Sequence, residues 1–136
     1  MEVAAKRRIW DGRKFDHLFP RARGKNETIK RNADLEDTLE LIPEVVAKYK
    51  HQAKRIARRL QGKNLRESCR NIWNFCYRYI KYRKDDPGTE QIRTPARTWA
   101  DRQTGVDCDC YATFISSVLH YISHGVGKGV PHKFRV

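Results

Sequence analysis

Between Leu41 and Leu60 the apolar positions Leu41, Val45, Tyr49, Ala53, Ile56 and Leu60 recur at intervals of four, four, four, three and four. Such spacing puts them on one face of an α-helix and is incompatible with a strand, whose faces alternate every second residue. A single amphipathic helix over Leu41 to Leu60 is expected, with Pro43 in its first turn and Gly62 just past its end. Asp34, Glu36, Asp37, Glu40 and Glu44 gather at or before the start. Lys48, Lys50, Lys54, Arg55, Arg58, Arg59 and Lys63 follow with no acid among them, an order that complements the helix dipole. A second helical pattern runs through Leu65, Cys69, Ile72, Trp73, Cys76, Tyr79 and Ile80, opened by the capping-box spacing of Asn64 and Glu67. A third runs through Tyr111, Ile115, Val118, Leu119 and Ile122. The core is therefore built mainly from helices.

The third pattern is entered through Thr104-Gly-Val-Asp-Cys-Asp-Cys-Tyr-Ala-Thr113. Gly105 supplies a turn, Asp107 is a good N-cap, and Cys108 then occupies the first helical position. A thiol there lies beside unpaired N–H groups and the positive end of the helix dipole, both of which favour the nucleophilic thiolate. Asp107 and Asp109 oppose it, so a cationic imidazole is needed to complete the activation. The backbone N–H of Cys108 is a candidate oxyanion donor. Cys110 points to another side of the helix.

Arg93-Thr-Pro-Ala-Arg-Thr-Trp-Ala-Asp-Arg102, Gly105-Val-Asp-Cys-Asp-Cys-Tyr-Ala112 and, after a helix, Gly129-Val-Pro-His-Lys-Phe-Arg-Val136 resemble the transglutaminase-like superfamily of papain-type cysteine enzymes. The resemblance covers roughly residues 65 to 136. It implies an α+β fold, with helices packed around a nucleophile helix that begins at Cys108 and a short strand from His132 to Val136. In that strand Phe134 and Val136 alternate with Lys133 and Arg135. It further implies acyl transfer at a peptide or protein amide through a thioester on Cys108. The family's catalytic His and its Asp or Asn belong on strands beyond this point, so the expected unit is the N-terminal, helix-rich portion of such a fold. It would be a truncated copy, or one part of an enzyme completed by another chain.

Five histidines, His17, His51, His120, His124 and His132, are available as the base. His120 and His124 lie some 18 to 24 Å along the helix from Cys108 at about 1.5 Å per residue, too far within one chain. His51 belongs to the basic helix and faces solvent. His132 stands on the nearest suitable element, although the family's base sits on the following strand.

Composition sets the competing reading. A net charge of +13 over 136 residues favours phosphates, anionic lipid or an acidic protein. Lys54, Arg55, Arg58 and Arg59 are candidates for an anion-binding face, or else a solvated helix surface. The alternative function is thus a non-enzymatic basic module binding nucleic acid or an acidic assembly partner. Residues 1 to 32 mix ten basic residues with Ile9, Trp10, Phe15, Leu18 and Phe19 and show no period, which reads as an extended basic arm ahead of a core over 33 to 136. That arm either docks on a partner or lays Trp10, Phe15 and Phe19 on its own core. The aromatic residues of the second helix divide the same way, between a stacking platform and core.

Gln91 to Trp99 is expected to cross the surface as a loop, broken by Pro95, that leads to Cys108. Trp99 either lines the substrate groove, shielding the thiol, or anchors the loop in the core. Cys69, Cys76, Cys108 and Cys110 match no common structural zinc spacing, so no metal or other cofactor is expected and core packing is the plain reading of Cys69 and Cys76. With no apolar leader, the thiols point to a reducing, cytoplasmic setting. Gly125 to Gly129 reads as a connector, not a phosphate loop. No apolar run approaches the ~20 residues that span a bilayer.

Overall fold

The computed structural model describes residues 8–22, 35–86, 91–124 and 129–134. Five α-helices stand among them: α1 (Leu35–Tyr49), α2 (Lys54–Leu60), α3 (Leu65–Tyr79), α4 (Pro95–Ala100) and α5 (Cys108–Leu119). Short 3-10 turns occupy Arg13–Leu18 and Lys50–Ala53. The turn at Asp85 to Gly88 and the connector from Gly125 lie partly outside the described residues, as do residues 1–7 and 23–32 of the basic arm.

α3 forms as its capping signal requires: the Asn64 side chain accepts the Glu67 N–H at 2.8 Å. The helix expected as one from Leu41 to Leu60 is instead two. At Tyr49 the backbone leaves the α region, with φ −121° and ψ 1°, and a 3-10 turn follows. The break re-aims the apolar stripe. Ile42, Val45 and Val46 of α1 pack with Ile92 in a side cluster, whereas Ala53, Ile56, Ala57 and Leu60 join the main core. An unbroken period cannot distinguish these cases, because a 3-10 turn also brings residues three apart into line. α1 begins upstream of the first periodic residue, so Pro43 lies inside the helix, where it is exposed, rather than in its first turn.

The loop expected before Cys108 contains α4. Pro95 opens that helix rather than breaking the chain, because its fixed φ suits the first helical position and its missing N–H is not required there. Thr94 caps it by accepting the Arg97 N–H at 3.2 Å.

The main core gathers α2, α3, α4 and α5 around stacked aromatic rings. Phe75 lies 5.2 Å from Trp99 and 6.1 Å from Phe114, centroid to centroid. Phe15, Leu18 and Phe19 tie residues 8–22 to this core. Phe15 meets Phe75 and Tyr79 edge-on, and Phe19 stacks on Trp99 at 4.7 Å. Trp99 Nε1 donates to Asp16 at 2.9 Å, and the Arg102 guanidinium donates twice to the Asp11 carbonyl while lying 4.1 Å from the Trp99 ring centroid. Here the arm lies on its own core.

No strand forms among the described residues. An isolated parallel bridge joins Tyr82 to Val106, with Val106 N–H donating to Lys81 O and Arg83 N–H to Val106 O, each at 2.9 Å. This bridge ties the approach to α5 onto the exit from α3. Gly105 makes the preceding turn at φ +113°, where a Cβ would come within 2.6 Å of Arg83 Cβ. Residues 132–134 do not form the expected strand, and Arg135 and Val136 lie outside the described residues. An extended segment needs a neighbour to take up its N–H and C=O groups. This one is instead held to α5 through Val130 N–H, which donates to Leu119 O at 3.0 Å, and through His132.

Candidate active site at the mouth of α5

Asp107 caps α5 in an unusually direct way. Its Oδ1 accepts the Cys108 N–H at 2.7 Å, and its Oδ2 accepts the Asp85 N–H at 2.9 Å. The Tyr111 hydroxyl, one turn on, donates to Ile80 O and fixes α5 against the end of α3. Cys108 is the first residue of α5 and is exposed. Cys110 is fully buried, its sulfur 3.5 Å from both Gln91 O and Arg93 Nη1. Only Cys108 of this pair faces outward.

The local field opposes ionisation of that thiol. Partial desolvation, then Asp109, then Asp107 push Cys108 up to about 12. Its sulfur donates to Asp109 Oδ1 at 3.6 Å. Burial pushes the Asp107 carboxyl up, yet the N–H bonds from Asp85 and Cys108 outweigh it and hold the group below its ordinary value. Asp107 and its neighbours in turn raise Tyr82. Desolvation and the two carboxylates thus favour the thiol over the thiolate at this end of α5. The expectation that the Cys108 N–H serves an oxyanion is also corrected, since Asp107 already occupies that donor.

No hydrogen bond joins the Cys108 sulfur to a histidine among the described residues. His132 Nε2 lies 2.6 Å from Ser116 Oγ and its Nδ1 2.6 Å from Val130 O. Because a carbonyl only accepts, Nδ1 carries a proton, and in the neutral ring Nε2 accepts the Ser116 hydroxyl. Ser116 stands eight residues into α5 from Cys108, about 12 Å along the axis at ~1.5 Å per residue. The His120 ring lies 5.1 Å from His132, and burial, then Lys50 and His132, lower the His120 pKa. These groups line a cleft of about 340 Å³ shared with Lys50, Val46 and Phe134. His124 is bonded to Ser68 Oγ at 2.7 Å. His17 and His51 are exposed. The Ser116–His132 pair joins residues sixteen apart and has no signature in the sequence. Nor do Tyr82 and Asp85, which complete the surroundings of Asp107.

The remaining candidates fall apart spatially. Trp99 is buried in the aromatic core, only 4% exposed, and anchors the approach to α5 rather than presenting its ring to solvent. Lys54, Arg55, Arg58 and Arg59 are all exposed on α2, and Arg55 also donates to His17 O at 3.2 Å. Cys76 packs in the core as expected, but Cys69, seven residues earlier, is exposed. Among the described residues no group of three or more His, Cys, Asp or Glu side chains is arranged to hold a metal ion. No described helix is long and apolar enough to cross a membrane.

Comparison of the chain with protein-family models, with curated proteins and with solved structures finds no match.

Proposed function

We propose that this chain carries the nucleophile portion of a transglutaminase-like cysteine acyl-transfer site on an α+β fold of the papain type. The observation that supports this reading best is the exposed Cys108 sulfur on the first residue of α5, beside a rigidly held capping carboxylate. In the proposed reaction, Cys108 Sγ loses its proton to a base and bonds to an amide carbonyl carbon. The C–N bond breaks, the amine leaves with a proton, and water or a second amine displaces sulfur from the thioester. The base is an imidazole brought to Cys108 from elsewhere. As a cation it is drawn to Asp107 and Asp109, so the acids that suppress the thiolate also recruit its partner.

A second reading, a basic module that binds nucleic acid or an acidic protein, is favoured by the net charge of +13 and by the exposure of Lys54, Arg55, Arg58 and Arg59.

The acyl-transfer reading is tested by treating the chain with p-nitrophenyl acetate, with and without added imidazole, and mapping acetylated cysteines by mass spectrometry. Imidazole should accelerate acetylation of Cys108 more than that of exposed Cys69. Equal acceleration of the two would count against the reading, and Asp109→Asn should weaken the preference.

A further inference from the structure

The aromatic residues of α3 divide into two sets. Phe75 and Tyr79 are buried in the core, whereas Trp73 is 61% and Tyr77 44% exposed. Arg66, Arg70, Trp73 and Tyr77 follow one another at intervals of four, three and four, and all four are exposed. That spacing places them along one outer face of the helix. The Trp73 and Tyr77 rings stack with centroids 4.9 Å apart and planes 10° from parallel. Neither Arg66 nor Arg70 makes an ion pair with an acid among the described residues. Glu67 is the only acid within α3. At the margin, the Arg78 guanidinium lies 5.2 Å from the ring centroid of Trp10, itself 51% exposed.

We infer that this face of α3 binds single-stranded nucleic acid. Two chemical requirements meet on it. Guanidinium groups take backbone phosphates, and flat exposed rings take unpaired bases, whose π-faces are hidden in a duplex. The strip from position 66 to 77 is about 16 Å long at ~1.5 Å per residue, enough to follow a short run of an extended strand. An acidic protein would satisfy the arginines but leave a stacked indole and phenol facing water. The net charge of +13 supplies the long-range attraction. This surface lies on a different helix from the α2 basic residues and is independent of the chemistry at Cys108.

Fluorescence anisotropy of a labelled oligothymidylate titrated with the full chain tests the inference. Trp73→Ala should weaken binding by at least about fivefold, while Trp73→Phe retains most of it. Arg66→Gln with Arg70→Gln should flatten the dependence of log affinity on log salt by about 1.4, two phosphates at ~0.7 each. Duplex DNA should compete poorly. The inference is overturned if Trp73→Ala binds like the original chain, if duplex or polyglutamate competes as well as single strand, or if no binding is found at low salt. Circular dichroism of each variant separates loss of the surface from loss of the fold.

Discussion

The Asp85 backbone N–H donates to Asp107 Oδ2 at 2.9 Å, so one carboxylate both caps α5 and holds the segment leaving α3. Asp107→Ala removes both acceptors and should cost about 1–3 kcal/mol, read from urea unfolding. Asp107→Asn keeps one acceptor and should cost less. Because the folded carboxyl titrates below its ordinary value, its contribution is complete above the unfolded pKa of about 3.9 and is lost as pH falls through the folded one. Stability of the original chain should therefore decline more steeply on acidification than that of Asp107→Asn.

Asp101 draws two arginines to one point, with Arg93 Nε at 2.9 Å and Arg97 Nη2 at 2.8 Å. The Arg93 side chain is only 11% exposed, and its other acid, Asp85, stands farther off at 3.8 Å. Burial pushes the Asp101 carboxyl up, but Arg97 and Arg93 together hold it below its ordinary value. Asp101→Asn leaves a largely buried cation with only the more distant Asp85 and should lower stability by about 1–3 kcal/mol. A shift in the urea midpoint with unchanged slope would report it. Asp101→Asn as stable as the original chain would mean that the cluster is solvated and contributes little.

Phe19 and Trp99 stack at 4.7 Å with planes 11° apart, which ties the N-terminal stretch to the core. Phe19→Ala and Trp99→Ala should each cost about 3–5 kcal/mol. The double variant should lose less than the sum, by about 0.5–1.5 kcal/mol, because the pair shares one contact. Additive losses would contradict the stacked arrangement.

These relationships separate what the sequence can express from what it cannot. Asn64 and Glu67, Gly105, and Asp107 ahead of Cys108 act within a few residues of themselves, so the starts of α3 and α5 are legible from spacing alone. Thr94-Pro95 carries an equally local signal, an N-cap followed by proline, yet proline read as a breaker concealed α4. The bend at Tyr49 is not local: α1 and α2 face different apolar clusters, and a stripe of constant period carries no record of which cluster each half meets. The same holds for the Ser116–His132 pair and for the division of the α3 aromatics. The exposed position of Cys108 was readable, but the strength of the opposing field was not. It combines partial burial of the sulfur with Asp109 and with Asp107, which is itself pinned by Asp85, twenty-two residues away.

The Cys108 sulfur stands accessible at the mouth of α5 and is kept as a thiol by partial desolvation and its two acidic neighbours. Iodoacetamide alkylation of the native chain across a pH series, with each cysteine followed by mass spectrometry, tests it most directly. Burial and both carboxylates push this thiol up to about 12, so its rate should lag that of Cys69 at neutral pH and keep rising well past pH 9. Asp109→Asn should shift the whole profile to lower pH, while Cys76 and Cys110 stay protected in both proteins. Cys108 protected like Cys110 at every pH, or a profile indifferent to Asp109→Asn, would contradict the account.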